Sequence, residues 1–201
     1  MAIMKLPTKA EWRSHILRER RAVGPETKST EDAAIVAIVT SVVPAGVTVC
    51  AYVPVGTEPG SIEMLEALHD SGCRVLLPVT GEPGPLEWAE FTGSADLIPA
   101  GHGLREPSGP VFPPAEVASA SAVLIPALAV DERGARLGRG AGFYDRTLGL
   151  AEPTAALIAV VRDNELVQRL PSDPHDVPMG WALTPGRGMV RLDAGGVPDQ
   201  Q

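Results

Sequence analysis

Apolar positions along this chain follow two rhythms, a helical spacing in some segments and continuous runs suited to buried strands in others. Thr8 and Glu11 have capping-box spacing, and Trp12, Ile16 and Leu17 recur at helical intervals beside Arg13, Arg18, Arg20 and Arg21. They predict an amphipathic opening helix. A second helix is expected over residues 29–43, with Ser29 and Thr30 as caps, an apolar stripe at 33–39 and Pro44 as its stop. Residues 47–55 read as a strand rich in β-branched side chains. Ser61 opens a third helix whose Met64, Leu65 and Leu68 face inward, and Gly72 ends it before a strand at 74–79. Further strands are expected at 86–91, 123–130 and 155–161, with a short final one at 181–184.

Strands alternating with helices, and strands apolar on both faces, specify an α/β fold: a single-domain, three-layer sandwich around a mainly parallel, Rossmann-like sheet. The domain is expected over residues 1–192, with 193–201 too poor in apolar content to be more than a flexible tail. Ligands in such sheets lie at the carboxyl ends of the strands. Residues 92–121, mostly Gly, Pro and small polar residues, are long for an idle connection. They read as a binding loop or lid, with a mobile insertion as the alternative.

Composition narrows the function. The 201 residues carry a net charge of −8, which disfavours a nucleic-acid partner but leaves room for a small anion in a local basic pocket. No apolar run reaches the ~18 residues that span a bilayer, and no signal-peptide core opens the chain, so a soluble cytoplasmic protein without a membrane partner is expected. Cys50 and Cys73 lie in or beside predicted strands without metal-ligand spacing and read as buried thiols.

Residues 125–146 concentrate the chemistry. They have the form strand, glycine-rich loop, helix, with Gly138, Gly140 and Gly142 able to turn backbone N–H groups toward an anion. Arg136, Arg139 and Arg146 can add charge-assisted contacts. No Gly-Lys-Ser/Thr follows, so the loop is no Walker A, and Phe143 stands where a dinucleotide fingerprint needs its third glycine. Spacing alone leaves a plain tight turn open. Asp145 reads either as a holder of phosphate-bridging Mg²⁺ or as a carboxylate favoured at a helix start.

The run Arg136-Leu137-Gly138-Arg139-Gly140-Ala141-Gly142-Phe143-Tyr144-Asp145 resembles the Arg-Leu-Gly-Arg-Gly-x-Gly-Tyr-Tyr-Asp signature of the 5-formyltetrahydrofolate cyclo-ligase family. Lys9 and Arg13 match its opening Lys-x-x-x-Arg, and Glu58 falls where it has a glutamate after the first strand. Leu77-Pro78, Gly103-Leu104-Arg105-Glu106-Pro107 and His175-Asp176 match three further motifs in order. The resemblance implies Mg²⁺- and ATP-dependent conversion of 5-formyltetrahydrofolate to 5,10-methenyltetrahydrofolate, with release of ADP and phosphate.

The resemblance also implies roles. Lys9 and Arg13 would contact ATP phosphates, although by themselves they read as a solvated helix face. The loop Arg136, Leu137, Gly138, Arg139, Gly140, Ala141, Gly142, Phe143 and Tyr144 would wrap the triphosphate, with Arg139 and Tyr144 as catalytic residues. Glu58, Phe143 and Tyr144 would contact the folate, Glu58 pairing with pterin N–H groups. Asp145 and Asp176 are the metal candidates. Trp88 and Trp181 are possible stacking partners, with core packing as the alternative. His15, His69 and His102 read as solvated or structural. Phe143 departs from the family tyrosine and Ala141 from a position commonly Gly or basic, changes expected to tune affinity. A monomer or weak homodimer is expected. The competing readings are an inactive folate- or nucleotide-binding paralogue and another small-molecule phosphotransferase.

Overall fold

The computed structural model describes residues 7–81 and 83–193. Helix α1 (Lys9–Arg21) opens on the predicted capping box: the Thr8 hydroxyl accepts from the Glu11 N–H, and the Glu11 carboxylate accepts from the Thr8 N–H at 2.7 Å. Helix α2 (Pro25–Val42) begins earlier than expected. Gly24 is its N-cap and Pro25 its first residue, so Ser29 and Thr30 lie inside the helix, where the Thr30 hydroxyl donates to the Glu26 carbonyl. Proline at the first helical position has no N–H to lose and a φ already suited to the helix, and it displaces the expected cap.

The chain continues through β1 (Thr48–Cys50), α3 (Ile62–Asp70), β2 (Arg74–Val79), β3 (Glu87–Glu90), β4 (Leu97–Pro99), β5 (Arg105–Pro107), β6 (Val111–Phe112) and β7 (Ala122–Pro126). There follow β8 (Ala129–Asp131), β9 (Arg136–Leu137), α4 (Phe143–Thr147), β10 (Ala156–Val160), β11 (Leu166–Val167), β12 (Trp181–Thr184) and β13 (Gly188–Arg191). The main sheet runs β13-β12-β10-β7-β1-β2-β3-β6. Strands β12, β10, β7, β1 and β2 are parallel, while β13, β3 and β6 add antiparallel edges. From β1 the chain first builds outward to β2 and then returns to place β7 on the other side. The crevice beyond the carboxyl ends of β1 and β7 is therefore a topological switch point.

Successive residues of β1 divide the core between the two faces. Val49 packs with Ile35 and Val39 of α2 and Met64, Leu65 and Leu68 of α3, all fully buried. Cys50 packs on the opposite face with Val123, Ile125, Trp88 and Leu148. Removing each such aliphatic chain from water contributes about 1.5–3 kcal/mol. Both cysteines are buried and unpaired, as expected.

Two segments depart from the sequence pattern. The apolar run 123–130 is two strands: β7 ends at Pro126, and the Leu128 N–H donates to the Leu137 carbonyl as the chain enters a separate three-stranded sheet, β11-β8-β9. Helix α1 packs there, with Ile16 against Leu128, Ala129 and Leu137. Residues 92–121 hold β4, β5, β6 and three 3-10 helices, Ser94–Asp96, Gly101–Gly103 and Pro114–Ser119, and are not structureless. The short strand at Trp181–Thr184 is followed by one more, β13. Of the expected tail, 194–201 lie outside the described residues. Among the described residues no helix is long and apolar enough to cross a membrane.

Candidate active site

The glycine-rich loop joins β9 to α4. Gly140 (φ +108°) and Gly142 (φ +72°) occupy left-handed conformations that side chains disfavour, and a Cβ at Gly138 would lie 2.7 Å from Arg136 Nη1. The loop thus rests on the Arg136 guanidinium. Arg136 is nearly buried, donates from Nη2 to Asp145 Oδ1 at 2.7 Å, and has its guanidinium carbon 5.7 Å from the Tyr144 ring centre. Its Nε has no protein partner. The first and last residues of the motif brace the loop from beneath. Helix α4, with only five residues, adds a weak dipole.

Lys9 and Arg13 lie one turn apart on α1 and face this loop. Arg13 Nε donates to the Gly138 carbonyl at 2.9 Å, and the Cβ position of Gly140 is 3.6 Å from its guanidinium. Lys9 Nζ donates to Asp173 Oδ2 at 2.6 Å and Asp176 Oδ2 at 2.8 Å. Partial burial opposes the Lys9 charge, but hydrogen bonds and attraction from both aspartates outweigh it and raise its pKa. Burial likewise opposes ionisation of Asp176, which Lys9 and the Asp173 N–H overcome, holding the carboxyl below its ordinary range. The two are not a solvated face.

Asp173, His175 and Asp176 bring one potential ligand atom each within 4.8 Å of one another. The two carboxylates suit a small hard cation, whereas the imidazole is a better ligand for a transition metal, and the Lys9 ammonium already stands between the carboxylates as a cation. Asp145 is not in this cluster, since its Oδ1 is turned onto Arg136. Asp173 was absent from the sequence reading; its spacing from Asp176 across one turn was the available signal.

Glu58 closes a tight turn from Val55, in the connection that leads from β1 to α3 at the switch point. Its N–H donates to the Val55 carbonyl, and its Oε2 accepts from the Val55 N–H at 3.0 Å. Oε1 accepts from Arg139 Nε, also at 3.0 Å. The Tyr144 hydroxyl is buried without a partner; burial raises its pKa, which Arg136 opposes and Glu58 reinforces. Arg20, a cavity-lining residue that the sequence reading did not place at the site, is 2% exposed and donates from Nε and Nη2 to Glu165 at 2.6 and 2.7 Å. A second bond from Nη2 reaches the Ala127 carbonyl, and Nη1 has no partner.

These groups converge on one cavity of about 540 Å³. Lys9, Arg13, Glu58, the whole run 136–145 and Asp176 all line it, and Thr80, Leu104 and Glu106 close it from the β2 side. Residues 104–106 are the part of the expected lid that reaches it; Thr80 donates through both its N–H and its hydroxyl to Glu106. Trp88 and Trp181 do not line it. Trp88 is fully buried in the core, and Trp181 packs at the other side of the sheet beneath Arg191, so neither is placed to stack on a ligand there. The Phe143 ring lies under Arg146, 5.4 Å away. His15 and His69 lie outside the cavity, and the side chain of His102 lies outside what the structure describes.

The 5-formyltetrahydrofolate cyclo-ligase family model matches residues 5–185. The chain is 49% identical over 190 residues to the 5-formyltetrahydrofolate cyclo-ligase of Mycolicibacterium smegmatis, covering 92% of this chain and 97% of that protein. It is 29% identical to the Escherichia coli K12 enzyme of the same name, over 86% and 97% of the two chains. Its fold is similar to the 5,10-methenyltetrahydrofolate synthetase structures of Aquifex aeolicus (TM-score 0.77, 23% identity, 96% of each chain) and Mycoplasma pneumoniae (TM-score 0.69, 21% identity, 87% and 96%). With a family match over nearly its whole length and a relative of such identity, the chain belongs to the 5-formyltetrahydrofolate cyclo-ligase family.

Proposed function

We propose that this protein converts 5-formyltetrahydrofolate and ATP into 5,10-methenyltetrahydrofolate, ADP and phosphate. The observation that carries the reading is the meeting, in one cavity at the switch point, of a cation-backed glycine loop with a carboxylate suited to a pterin edge. An N-formyl amide is a poor electrophile with a poor leaving group. Transfer of the γ-phosphoryl group to the formyl oxygen cures both defects: N10 then attacks the formyl carbon and gives up its proton, the C–O bond breaks, and phosphate departs with that proton as the ring closes.

Such a transfer requires positioning and charge neutralisation and no nucleophilic side chain. Lys9, Arg13 and the loop amides around Gly138 to Gly142 hold the phosphates, with Arg139 on the transferring group. Arg136 and Asp145 keep the loop in shape. Mg²⁺, held by Asp176 with Asp173, would neutralise phosphate charge there. Glu58 takes the pterin N–H edge, and the unpartnered Tyr144 hydroxyl donates to the folate. We place the protein in the cytoplasm as a monomer or weak homodimer, without a nucleic-acid or membrane partner. The test is a spectrophotometric assay for methenyltetrahydrofolate with omission controls. Product that needs both ATP and Mg²⁺ is expected, and its absence would refute the assignment.

A further inference from the structure

Glu58 reads the ligand only if its turn is held still, and two of the groups that hold it, Lys28 and Asp32, lie outside the cavity, on α2. Asp32 Oδ1 accepts from the Gly60 N–H at 3.1 Å, and Lys28 Nζ donates to the Gly60 carbonyl at 3.2 Å. Lys28 and Asp32 are themselves paired at 2.6 Å, so both backbone groups of Gly60 are gripped by one ion pair. Gly60 needs the grip, because at φ +92° it adopts a conformation that glycine enters and leaves easily. One residue earlier, the Tyr52 hydroxyl donates to the Pro59 carbonyl at 2.6 Å, fixing the inner side of the same turn.

The pair is poorly placed to serve its own helix. Lysine in the first turn of α2 meets the positive end of the dipole, and lysine preceding an acid at i,i+4 is the weaker orientation of such pairs. Its value lies in what it reaches, the turn 55–60. Of the three lysines in the sequence, Lys9 faces the phosphate end of the cavity and Lys28 braces the opposite requirement.

We propose that Lys28 and Asp32 are positioning residues: by clamping Gly60 they set the place of the Glu58 carboxylate, and so govern affinity for the folate and not for ATP. This rests on the function proposed above. Asp32→Ala frees the Gly60 N–H and unpairs Lys28. It should raise both the KM and the calorimetric Kd for 5-formyltetrahydrofolate about tenfold, leaving kcat and the KM for ATP at saturating folate within about twofold. Asp32→Asn, which keeps an oxygen for the Gly60 N–H, should return to within about threefold of wild type.

A merely structural role would lower the melting temperature and disturb both substrates together. The inference is overturned if Asp32→Ala binds folate within twofold of wild type, if the ATP KM rises in parallel, or if Asp32→Asn is no better than Asp32→Ala. A wild-type protein that binds folate yet forms no methenyl product would sink the proposed reaction alone, with the Kd series still deciding the clamp.

Discussion

Glu58→Gln should separate the two tasks assigned to that carboxylate. Its Oε1 accepts from Arg139 Nε, so the pterin N–H edge proposed for Glu58 would compete with Arg139 for the same oxygen. Arg139 is half-exposed, which limits the pair to about 0.2–1 kcal/mol. Folate that displaces it frees Arg139 for phosphate, and this exchange should tighten nucleotide binding by roughly 1.5- to 5-fold. By reciprocity the nucleotide should tighten folate binding by the same factor. In Glu58→Gln the pair with Arg139 is weakened, so an unreactive ATP analogue should bind the folate-free variant as tightly as it binds the folate-loaded wild type. The folate itself loses charge-assisted hydrogen bonds worth about 1.5–3 kcal/mol, a fall in affinity of about 10- to 150-fold. Calorimetry of each ligand, alone and with the other, supplies all four constants. Folate affinity within threefold of wild type, or an unchanged coupling factor, would refute the exchange.

Three further outcomes follow from the same contacts. Arg20→Met leaves the buried Glu165 without its partner and should cost about 3–5 kcal/mol in denaturant unfolding, most of it recovered in the Arg20→Met/Glu165→Met double variant. Lys9→Met should cost about 1 kcal/mol at neutral pH, given the exposure of Asp173. Asp176 is depressed below 3.8, so its share is present above that value and drains as pH falls; Lys9 is raised above 10.5, so its share is lost only at higher pH. The melting-temperature gap between variant and wild type should therefore close at both extremes. Gly134→Ala sets a Cβ against the Met179 carbonyl at φ +87° and should lose more than about 2 kcal/mol of stability, read as a lower melting temperature.

The elements most legible in the sequence were those whose local chemistry and burial agree. Helix α1 was announced by Thr8 and Glu11, and α3 by three residues that are all fully buried. Misreadings occurred where a neighbouring residue overruled a good signal. Ser29 and Thr30 are plausible caps, yet Pro25 starts the helix sooner. The apolar run 123–130 is continuous in hydrophobicity, but hydrophobicity does not say which partner a strand takes, and Leu128 changes partners to β9. Trp88 was ambiguous for a similar reason, since an aromatic wanted by the core and one wanted by a ligand look alike along the chain.

At the site, residue identity carried further than residue direction. The motif brought Arg136, Arg139 and Asp145 into view together, but spacing could not tell that Arg136 lies under the loop with Asp145 while Arg139 points outward to Glu58. The same limit applies to charge. Among the described residues, Lys9, Arg20, Arg136 and Arg139 each line the cavity already joined to a carboxylate at 3.0 Å or less. The ligand-free cavity is thus close to internally neutral, and a net charge of −8 over the chain neither forbids nor reveals it. An anion entering such a site meets the guanidinium of Arg13, which among the described residues is free of any carboxylate and donates to the Gly138 carbonyl. On the function proposed above, its other cations would come by exchange, Lys9 turning from Asp173 and Asp176 and Arg139 from Glu58, and each exchange would release an acid for the other ligands.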